Sequence, residues 1–397
     1  MLVSTHYEQT IRDLLAADLE EVCRFEEFAF DELAGKRPLV LCGAGGLGRK
    51  TLQGLRKAGV EPVAFTDNNA TLWNTDVEGV PVYSPADAVA KYGDSGAFVV
   101  TVWGAHSRDR LAERMAHWRN LGCTTVLSFR TLFWKYPAYY LPHYACDLPH
   151  KVYEQADQVV AAARLWRDDT SRVEYLEQLR WRTSIDHGGL PGPVEGPTYF
   201  PKDLIRLISQ ERFVDCGAFD GDTLRDLVRV TDGEFEKVWA MEPDPDSFAK
   251  LRASVASLPE PVRRKVDLIP IAAADTAKIL RFVSGGLASS GFSDAGGIVV
   301  QCDAIDHVLA GSKPTFIKMD IEGAEPDALL GARKLIQQCR PILAISAYHL
   351  QEHLWEIPLL VATLVPDYNF HLRPHDLEGW DLVCYAIPAE RSLSSRL

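Results

Sequence analysis

Acidic side chains and one histidine follow successive apolar runs in the second half of the chain. Asp215 ends the run F-V-D, Glu242 follows K-V-W-A-M, and Asp320 follows T-F-I-K-M. Glu322 comes shortly after Asp320, and His349 follows P-I-L-A-I-S-A-Y. Open parallel sheets bind their ligands at the carboxyl ends of their strands, so we expect these side chains to face one ligand.

A glycine loop accompanies the first of these acids. The segment F-V-D-C-G-A-F-D-G-D-T covers residues 213–223, where Gly217 and Gly221 bracket a tight turn and Thr223 opens a helix. The backbone N–H groups of such a loop and the helix N-terminus suit the polar part of a nucleotide-like cofactor. Glu242, at the end of the next strand, is placed to accept both hydroxyls of a ribose.

A second glycine loop lies near the start of the chain. The strand 38–42 runs into the G-x-G-x-x-G motif of Gly43, Gly45 and Gly48, and a helix follows over 50–58. Asp67 ends the next strand, 67 − 48 = 19 residues past the last glycine, where an acid meets a ribose hydroxyl. The pattern predicts nucleotide binding, although the glycines would also be needed for close helix–strand packing alone.

Length and composition limit the classes of protein. A chain of 397 residues with 47% hydrophobic and 24% charged residues indicates two globular domains. The net charge of −13 argues against nucleic-acid binding. Eight scattered cysteines predict buried free thiols in a reducing compartment. No signal peptide or apolar run of membrane-spanning length is present, so we expect a cytoplasmic protein without membrane contact.

The order of elements predicts an α/β protein with two Rossmann-like domains. Residues 1–36 form a helical lead-in, 37–130 the first α/β domain, 131–205 a helical connector and 206–397 the second α/β domain. Within the connector, the apolar spacing predicts a long helical stretch over 152–181. In the second domain we expect a strand over 266–271, a helix over 328–338 and a glycine- and serine-rich loop before residue 297.

The second domain resembles the FkbM family of S-adenosylmethionine-dependent methyltransferases. Besides 213–223, the matching motifs are M-E-P-D-P (241–245), C-D-A-I-D (302–306), I-K-M-D-I-E-G-A-E (317–325), P-I-L-A-I-S-A-Y-H (341–349) and Y-N-F-H-L-R-P-H (368–375). The resemblance implies a class I methyltransferase fold, with a mostly parallel seven-stranded sheet whose final strand is antiparallel. It also implies methyl transfer to oxygen, often on a sugar, a glycan or a glycosylated small molecule.

The resemblance also implies which residues contact S-adenosylmethionine. The loop should surround the methionine and ribose, Glu242 should hold the ribose hydroxyls, the turn at Ala272 and Ala273 should border the adenine, and Asp320 should face the methyl group. The cofactor-binding set is therefore Asp215, Gly217, Asp220, Gly221, Glu242, Ala272, Ala273 and Asp320.

A hydroxyl acceptor is a poor nucleophile, so a general base beside it would help. Asp320, Glu322 and His349 are the candidates for this catalytic role. Each also has a structural interpretation: Asp320 as a helix N-cap, Glu322 (like the nearby Glu325) as a charge near a helix N-terminus, and His349 as a hydrogen-bonded core histidine. A divalent ion on Asp320 and Glu322 is conceivable, but no third ligand has a diagnostic spacing, so no metal is expected.

The first domain resembles the N-terminal domain of bacterial sugar O-acyltransferases over residues 37–130. This resemblance implies a nucleotide or nucleotide-sugar held by Gly43, Gly45, Gly48 and Asp67. A competing hypothesis is an NAD-dependent oxidoreductase that uses the same loop, and a third is a non-catalytic nucleotide-sensing protein. We expect a small molecule or a sugar as the acceptor, with a homodimer as an alternative to a monomer.

Overall fold

Helices precede and flank a first sheet in the computed structural model, which describes residues 2–282 and 298–393. The helices are α1 (Leu2–Leu14), α2 (Leu19–Ala34), α3 (Gly46–Lys57), α4 (Pro85–Tyr92) and α5 (Leu111–Asn120). The strands are β1 (Leu39–Cys42), β2 (Ala64–Thr66), β3 (Asp76–Val77), β4 (Val80–Tyr83), β5 (Ala97–Val100) and β6 (Thr125–Ser128). The sheet order is β3-β4-β2-β1-β5-β6, with only β3 antiparallel to its neighbour.

The connector is helical but contains shorter helices than predicted. Its helices are α6 (Phe129–Lys135), α7 (Pro137–Tyr140), α8 (His150–Glu154), α9 (Ala156–Ala163) and α10 (Asp169–Thr183). The single stretch expected over 152–181 is therefore wrong. Asp168 interrupts it, because its carboxylate caps α10 through Ser171 N and also accepts hydrogen bonds from His371 and Arg373.

The second sheet carries the predicted methyltransferase topology. Its region contains the strands β7 (Arg212–Cys216), β8 (Lys237–Met241), β9 (Val266–Ile269), β10 (Ala272–Ala274), β11 (Lys278–Phe282), β12 (Ile298–Ala304), β13 (Phe316–Met319), β14 (Ile342–Ser346), β15 (Tyr368–Pro374) and β16 (Leu382–Pro388). The helices are α11 (Asp222–Thr231), α12 (Pro245–Ala256), α13 (Glu260–Arg263), α14 (Ile305–Val308), α15 (Glu325–Gly331), α16 (Arg333–Cys339) and α17 (His353–Leu364).

Seven of these strands form one sheet in the order β15-β16-β14-β13-β7-β8-β9. Only β16, the last strand of the chain, runs antiparallel to its two neighbours. The predicted α/β class and the mostly parallel seven-stranded sheet are thus confirmed. A separate sheet of three strands has the order β10-β12-β11.

Two local predictions in this region are wrong. Ala272 and Ala273 lie in strand β10, which pairs with β12, so they do not form the expected turn. The helix expected over 328–338 is divided between α15 and α16, because Asp306 accepts hydrogen bonds from the backbone N–H groups of Lys334 and Leu335 and so caps a new helix. The glycine- and serine-rich loop expected before residue 297 lies outside the described residues.

Aromatic side chains join the two α/β regions. Trp103, after β5, packs on Trp380 with a ring-centroid distance of 4.7 Å, and Tyr144 packs on the same indole at 4.5 Å. Tyr348 lies 5.8 Å from Trp380 and 4.3 Å from the ring of His349. A continuous buried cluster therefore runs from the first sheet to the carboxyl end of β14.

All eight cysteines are free thiols, as expected from their scattered positions, and six of them are buried. Within residues 2–282 and 298–393, none of the helices has the length and apolar character needed to cross a lipid bilayer.

Candidate functional site

The loop after β7 is built around Gly217 and Glu242. Gly217 has φ +80°, and a Cβ on it would overlap the carbonyl oxygen of Asp320, so the backbones of two neighbouring strand ends touch here. The two carboxylate oxygens of Glu242 accept hydrogen bonds from Phe219 N and Asp244 N, each at 2.8 Å. Glu242 thereby fixes both its own strand end and the loop. Burial raises the pKa of this carboxyl group.

A narrow cleft opens where these strand ends meet, and it encloses about 90 Å³. It brings together six of the residues singled out from the sequence, namely Gly217, Glu242, Ala272, Ala273, Asp320 and Glu322. Apolar side chains complete its walls, including those of Met241, Ile271 and Ile321. Polar atoms and small or apolar side chains are thus combined in one cavity, as in sites for nucleosides.

Three other residues of the predicted cofactor set lie outside this cleft. Asp215 is fully buried beneath the loop, with its Oδ1 2.9 Å from Nζ of Lys318. Gly221 has φ +87° and precedes α11. Asp220 points outward and forms an ion pair of 2.8 Å with Arg225. Their positions indicate that they shape the loop, whereas Glu242 faces the cavity.

The ion pair of Asp215 and Lys318 supports the floor of the site. Burial raises the pKa of Asp215 to about 6, although the ammonium group of Lys318 acts in the opposite direction. Lys318 is itself buried, and its Nζ donates a hydrogen bond of 2.6 Å to the carbonyl oxygen of Gly217. The pair therefore ties strand β13 to the glycine loop of strand β7.

The three candidates for the general base also lie close together. Nε2 of His349 is 3.3 Å from Oδ1 of Asp320 and 3.9 Å from Oε2 of Glu322. The other oxygen of Asp320 accepts a hydrogen bond of 2.8 Å from the hydroxyl of Tyr199. On its far side, His349 is hydrogen-bonded through Nδ1 to Oε1 of Glu325 at 2.8 Å.

The electrostatics of this cluster separate the three candidates. Burial lowers the pKa of His349, but Glu325 and Asp320 outweigh it, so the pKa lies well above the usual value of histidine. Burial raises the pKa of Glu322 to about 7. For Asp320, burial acts upward, but the contacts with His349 and Lys318 hold the pKa below its usual range. The two carboxylates therefore stabilise the charged form of this imidazole relative to the neutral form.

Sequence reasoning missed Lys318 and Tyr199, and it treated Glu325 only as a charge near a helix N-terminus. Lys318 did give a signal, since a lysine in the middle of an otherwise apolar strand requires a buried partner. Tyr199 gave none, because it lies in an irregular segment of the connector and reaches Asp320 only through the fold.

A larger cleft, of about 660 Å³, lies at the carboxyl ends of the first sheet. Gly43, Gly45 and Asp67 line it, and a Cβ on Gly45 would meet no atom within 4 Å, so this glycine leaves room beside the backbone. The carboxylate of Asp67 accepts a hydrogen bond of 2.8 Å from Ala44 N and so braces the loop. Gly48 does not line the cleft, and a Cβ there would overlap the carbonyl oxygen of Gly43, which indicates a packing role.

The second α/β region is similar to a known protein family. Residues 215–372 match the methyltransferase FkbM domain. This match covers the loop, Glu242 and the cluster around Asp320, and such a domain implies a methyltransferase that uses S-adenosylmethionine. The predicted FkbM resemblance is thus confirmed for the second α/β region.

Solved structures extend the comparison to the whole chain. The methyltransferase FkbM from Methylobacillus flagellatus KT is 25% identical, with a TM-score of 0.76 over 97% of this chain and 99% of that one. UDP-D-quinovosamine 4-dehydrogenase from Vibrio fischeri is 20% identical over 24% of this chain and 76% of that one, with a TM-score of 0.19. No curated protein matches the chain.

The residues of the narrow cleft fit the chemistry of S-adenosylmethionine. Each oxygen of Glu242 uses one lone pair on the backbone and keeps another for a ribose hydroxyl. Ala272 and Ala273 leave space for a flat ring, and Gly217 allows the ends of β7 and β13 to meet at the edge of the cleft. The enclosed volume of about 90 Å³ is smaller than the several hundred Å³ typical of ligand pockets, so a cofactor bound here would have to extend along the sheet edge or displace side chains.

Proposed function

We propose that this protein transfers the methyl group of S-adenosylmethionine to a hydroxyl of a sugar, a glycan or a glycosylated small molecule. The observation that carries the proposal is that Gly217, Glu242 and Asp320 share one cleft within the FkbM domain. The neighbouring carboxylates favour an oxygen acceptor, because a hydroxyl must lose a proton when it is methylated.

The proposed roles follow from what each side chain faces. Glu242 accepts the ribose hydroxyls, while the Asp215–Lys318 pair keeps the loop in place without contacting the ligand. The cofactor supplies an activated methyl group, which exchanges its bond to sulfur for a bond to the acceptor oxygen. Asp320 and Glu322 lie where they can take up the hydroxyl proton. Alignment of donor and acceptor supplies most of the remaining rate enhancement.

The test is a transfer assay with isotope-labelled S-adenosylmethionine and a panel of hydroxylated glycosides and glycans. We expect a labelled methyl ether, identified by mass spectrometry, and a loss of turnover in Glu242→Gln. The matched control is Glu234→Gln, an exposed glutamate before the same strand. Labelling of nitrogen or carbon in place of oxygen would refute the acceptor class, and cofactor binding without any transfer would refute the enzymatic proposal.

The wide cleft of the first α/β region supports a second candidate function, the binding of a nucleotide or nucleotide-sugar. Its volume of about 660 Å³ and the open space beside Gly45 favour a ligand of that size. Titration of the full chain with UDP, UDP-sugars and NAD is the test, with Asp67→Asn as the variant. Binding of a UDP-sugar that weakens in the variant supports the proposal, whereas binding and reduction of NAD would favour the oxidoreductase.

A further inference from the structure

The imidazole of His349 is held in an orientation in which Nε2 lies 3.3 Å from Oδ1 of Asp320 but makes no well-aligned hydrogen bond. His349 is 4% exposed, and Nε2 has no hydrogen-bond partner of suitable geometry among the described residues. Its Nδ1 is fixed by Oε1 of Glu325 at 2.8 Å. Glu325 is fixed in turn, because it accepts hydrogen bonds from Ile321 N at 2.8 Å and Gly323 N at 3.1 Å.

Such an arrangement is common around histidine ligands of metal ions. A carboxylate on one ring nitrogen sets the tautomer and the orientation of the ring, and the other nitrogen then faces the metal. Glu325 has this supporting position here. Nε2 is directed towards the same side of the cluster as Asp320 and Glu322, next to the narrow cleft.

Two carboxylate oxygens complete a set of three donor atoms. Oδ1 of Asp320 is 3.3 Å from Nε2 and accepts a long hydrogen bond of 3.4 Å from the hydroxyl of Tyr348, while Oδ2 accepts the shorter one from Tyr199. Oε2 of Glu322 is 3.9 Å from Nε2, and this side chain is 43% exposed and therefore free to move closer. An octahedral ion with bonds of about 2.1 Å has adjacent ligand atoms roughly 3 Å apart. The first distance is close to that value, and Glu322 must move towards Asp320 and Nε2 to bring in the third donor.

We propose that Nε2 of His349, Oδ1 of Asp320 and Oε2 of Glu322 bind a divalent cation of the Mn²⁺ class. One imidazole and two carboxylates suit a metal ion of intermediate character better than Ca²⁺, which takes oxygen ligands alone. This site was not expected from the sequence, because its third ligand, His349, is 27 residues beyond Glu322 and shows no diagnostic spacing.

The use of this cation rests on the proposed function, although its binding does not. Three protein donors leave positions open on an octahedral ion for an acceptor hydroxyl and for water. A hydroxyl bound there loses its proton to solvent more readily, and its oxygen is held beside the cleft that Asp320 and Glu322 share. In the metal-bound protein Asp320 and Glu322 act as ligands and the proton passes to solvent, whereas the proton uptake proposed above for these carboxylates applies to the protein without the ion.

The test is titration of the EDTA-treated full-length protein with MnCl₂, without any cofactor, followed by electron paramagnetic resonance of free Mn²⁺. We expect one ion per chain. Glu322→Gln, at a half-exposed position that folding tolerates, and His349→Ala should each weaken binding by about 10–100-fold or more. His307→Ala is the matched control, because His307 also pairs with an aspartate, Asp303, at 2.6 Å but is exposed and does not line the cleft.

Each result decides for or against the site. No Mn²⁺ binding at millimolar concentration, or equal binding by wild type and both variants, would show that His349 forms only ion pairs with its acidic neighbours. Cofactor binding is measured separately by calorimetry in EDTA. Binding of S-adenosylmethionine without Mn²⁺ binding overturns this site and leaves the proposed function intact. Binding of Mn²⁺ without S-adenosylmethionine supports the site and refutes the proposed function.

Discussion

Glu242 gives the sharpest test of the cofactor site, because its carboxylate faces the cleft with one lone pair free on each oxygen. In Glu242→Gln the side chain keeps its shape and one acceptor oxygen, but the charge is lost. The NH₂ group that replaces the other oxygen faces either Phe219 N or Asp244 N and cannot accept from it. A hydrogen bond to a charged group contributes about 1.5–3 kcal/mol.

The loss of one charged bond to a ribose hydroxyl therefore predicts a rise of roughly 10- to 150-fold in the Kd for S-adenosylmethionine. Isothermal titration calorimetry with S-adenosylmethionine and with S-adenosylhomocysteine measures it, and both ligands should be affected equally, since they share the ribose. Glu234→Gln should bind like the wild type. An unchanged Kd in folded Glu242→Gln would refute the assignment of the narrow cleft.

Three further predictions concern the structure around the sites. Gly217→Ala should lower the free energy of unfolding by more than about 1–2 kcal/mol, because the left-handed φ and the overlap with the carbonyl oxygen of Asp320 both oppose a Cβ. Urea unfolding measures this change, and an unchanged unfolding midpoint would contradict the prediction. Lys318→Met should lower the free energy of unfolding by about 3–5 kcal/mol, because it leaves Asp215 buried and unpaired. The double variant Lys318→Met with Asp215→Asn should recover most of that loss, and a double variant no more stable than Lys318→Met alone would refute the pairing. Burial raises the pKa of Glu378 from its usual 4.5 to about 7 in the folded protein. Between these two pH values the folded state keeps a proton that the unfolded state has lost, so the free energy of unfolding falls as pH rises from about 4.5 to 7. Glu378→Gln should therefore gain about 2–3 kcal/mol relative to wild type between about pH 5 and pH 8, and a constant difference across that range would contradict the pKa shift.

The sequence predicted those features that depend on short segments. Glycines that bracket a turn after an apolar strand, and an acid at the end of the next strand, lie within about 30 residues of one another, so Gly217 and Glu242 could be assigned to one site. The α/β class and the strand topology followed from the same local patterns and from the FkbM resemblance.

Features that depend on neighbouring strands could not be predicted in this way. Asp215 was expected at the cofactor, but Lys318 lies directly opposite it in the parallel pairing of β7 with β13, and the ion pair holds its carboxylate in the core. Only the strand order reveals this neighbour. The break in the connector has a similar cause, because the partners of Asp168 lie about 200 residues away in β15.

The proposed metal site also depends on contacts between segments that are separate in the sequence. Asp320 and Glu322 were recognised as a pair, but the orientation of His349 depends on Glu325, whose carboxylate is fixed by the turn that precedes α15. Helix position alone had suggested only a favourable charge for Glu325. A ligand set that is assembled from a turn and a separate strand end leaves no periodic signal in the sequence.

The most direct test of the central claim is a crystal structure of the protein with S-adenosylhomocysteine. We expect the ribose hydroxyls within about 3.2 Å of the carboxylate of Glu242, and the sulfur directed towards Asp320. If the ligand instead occupied the wide cleft beside Gly45 and Asp67, or left the narrow cleft unchanged, the assignment of the methyltransferase site would be wrong.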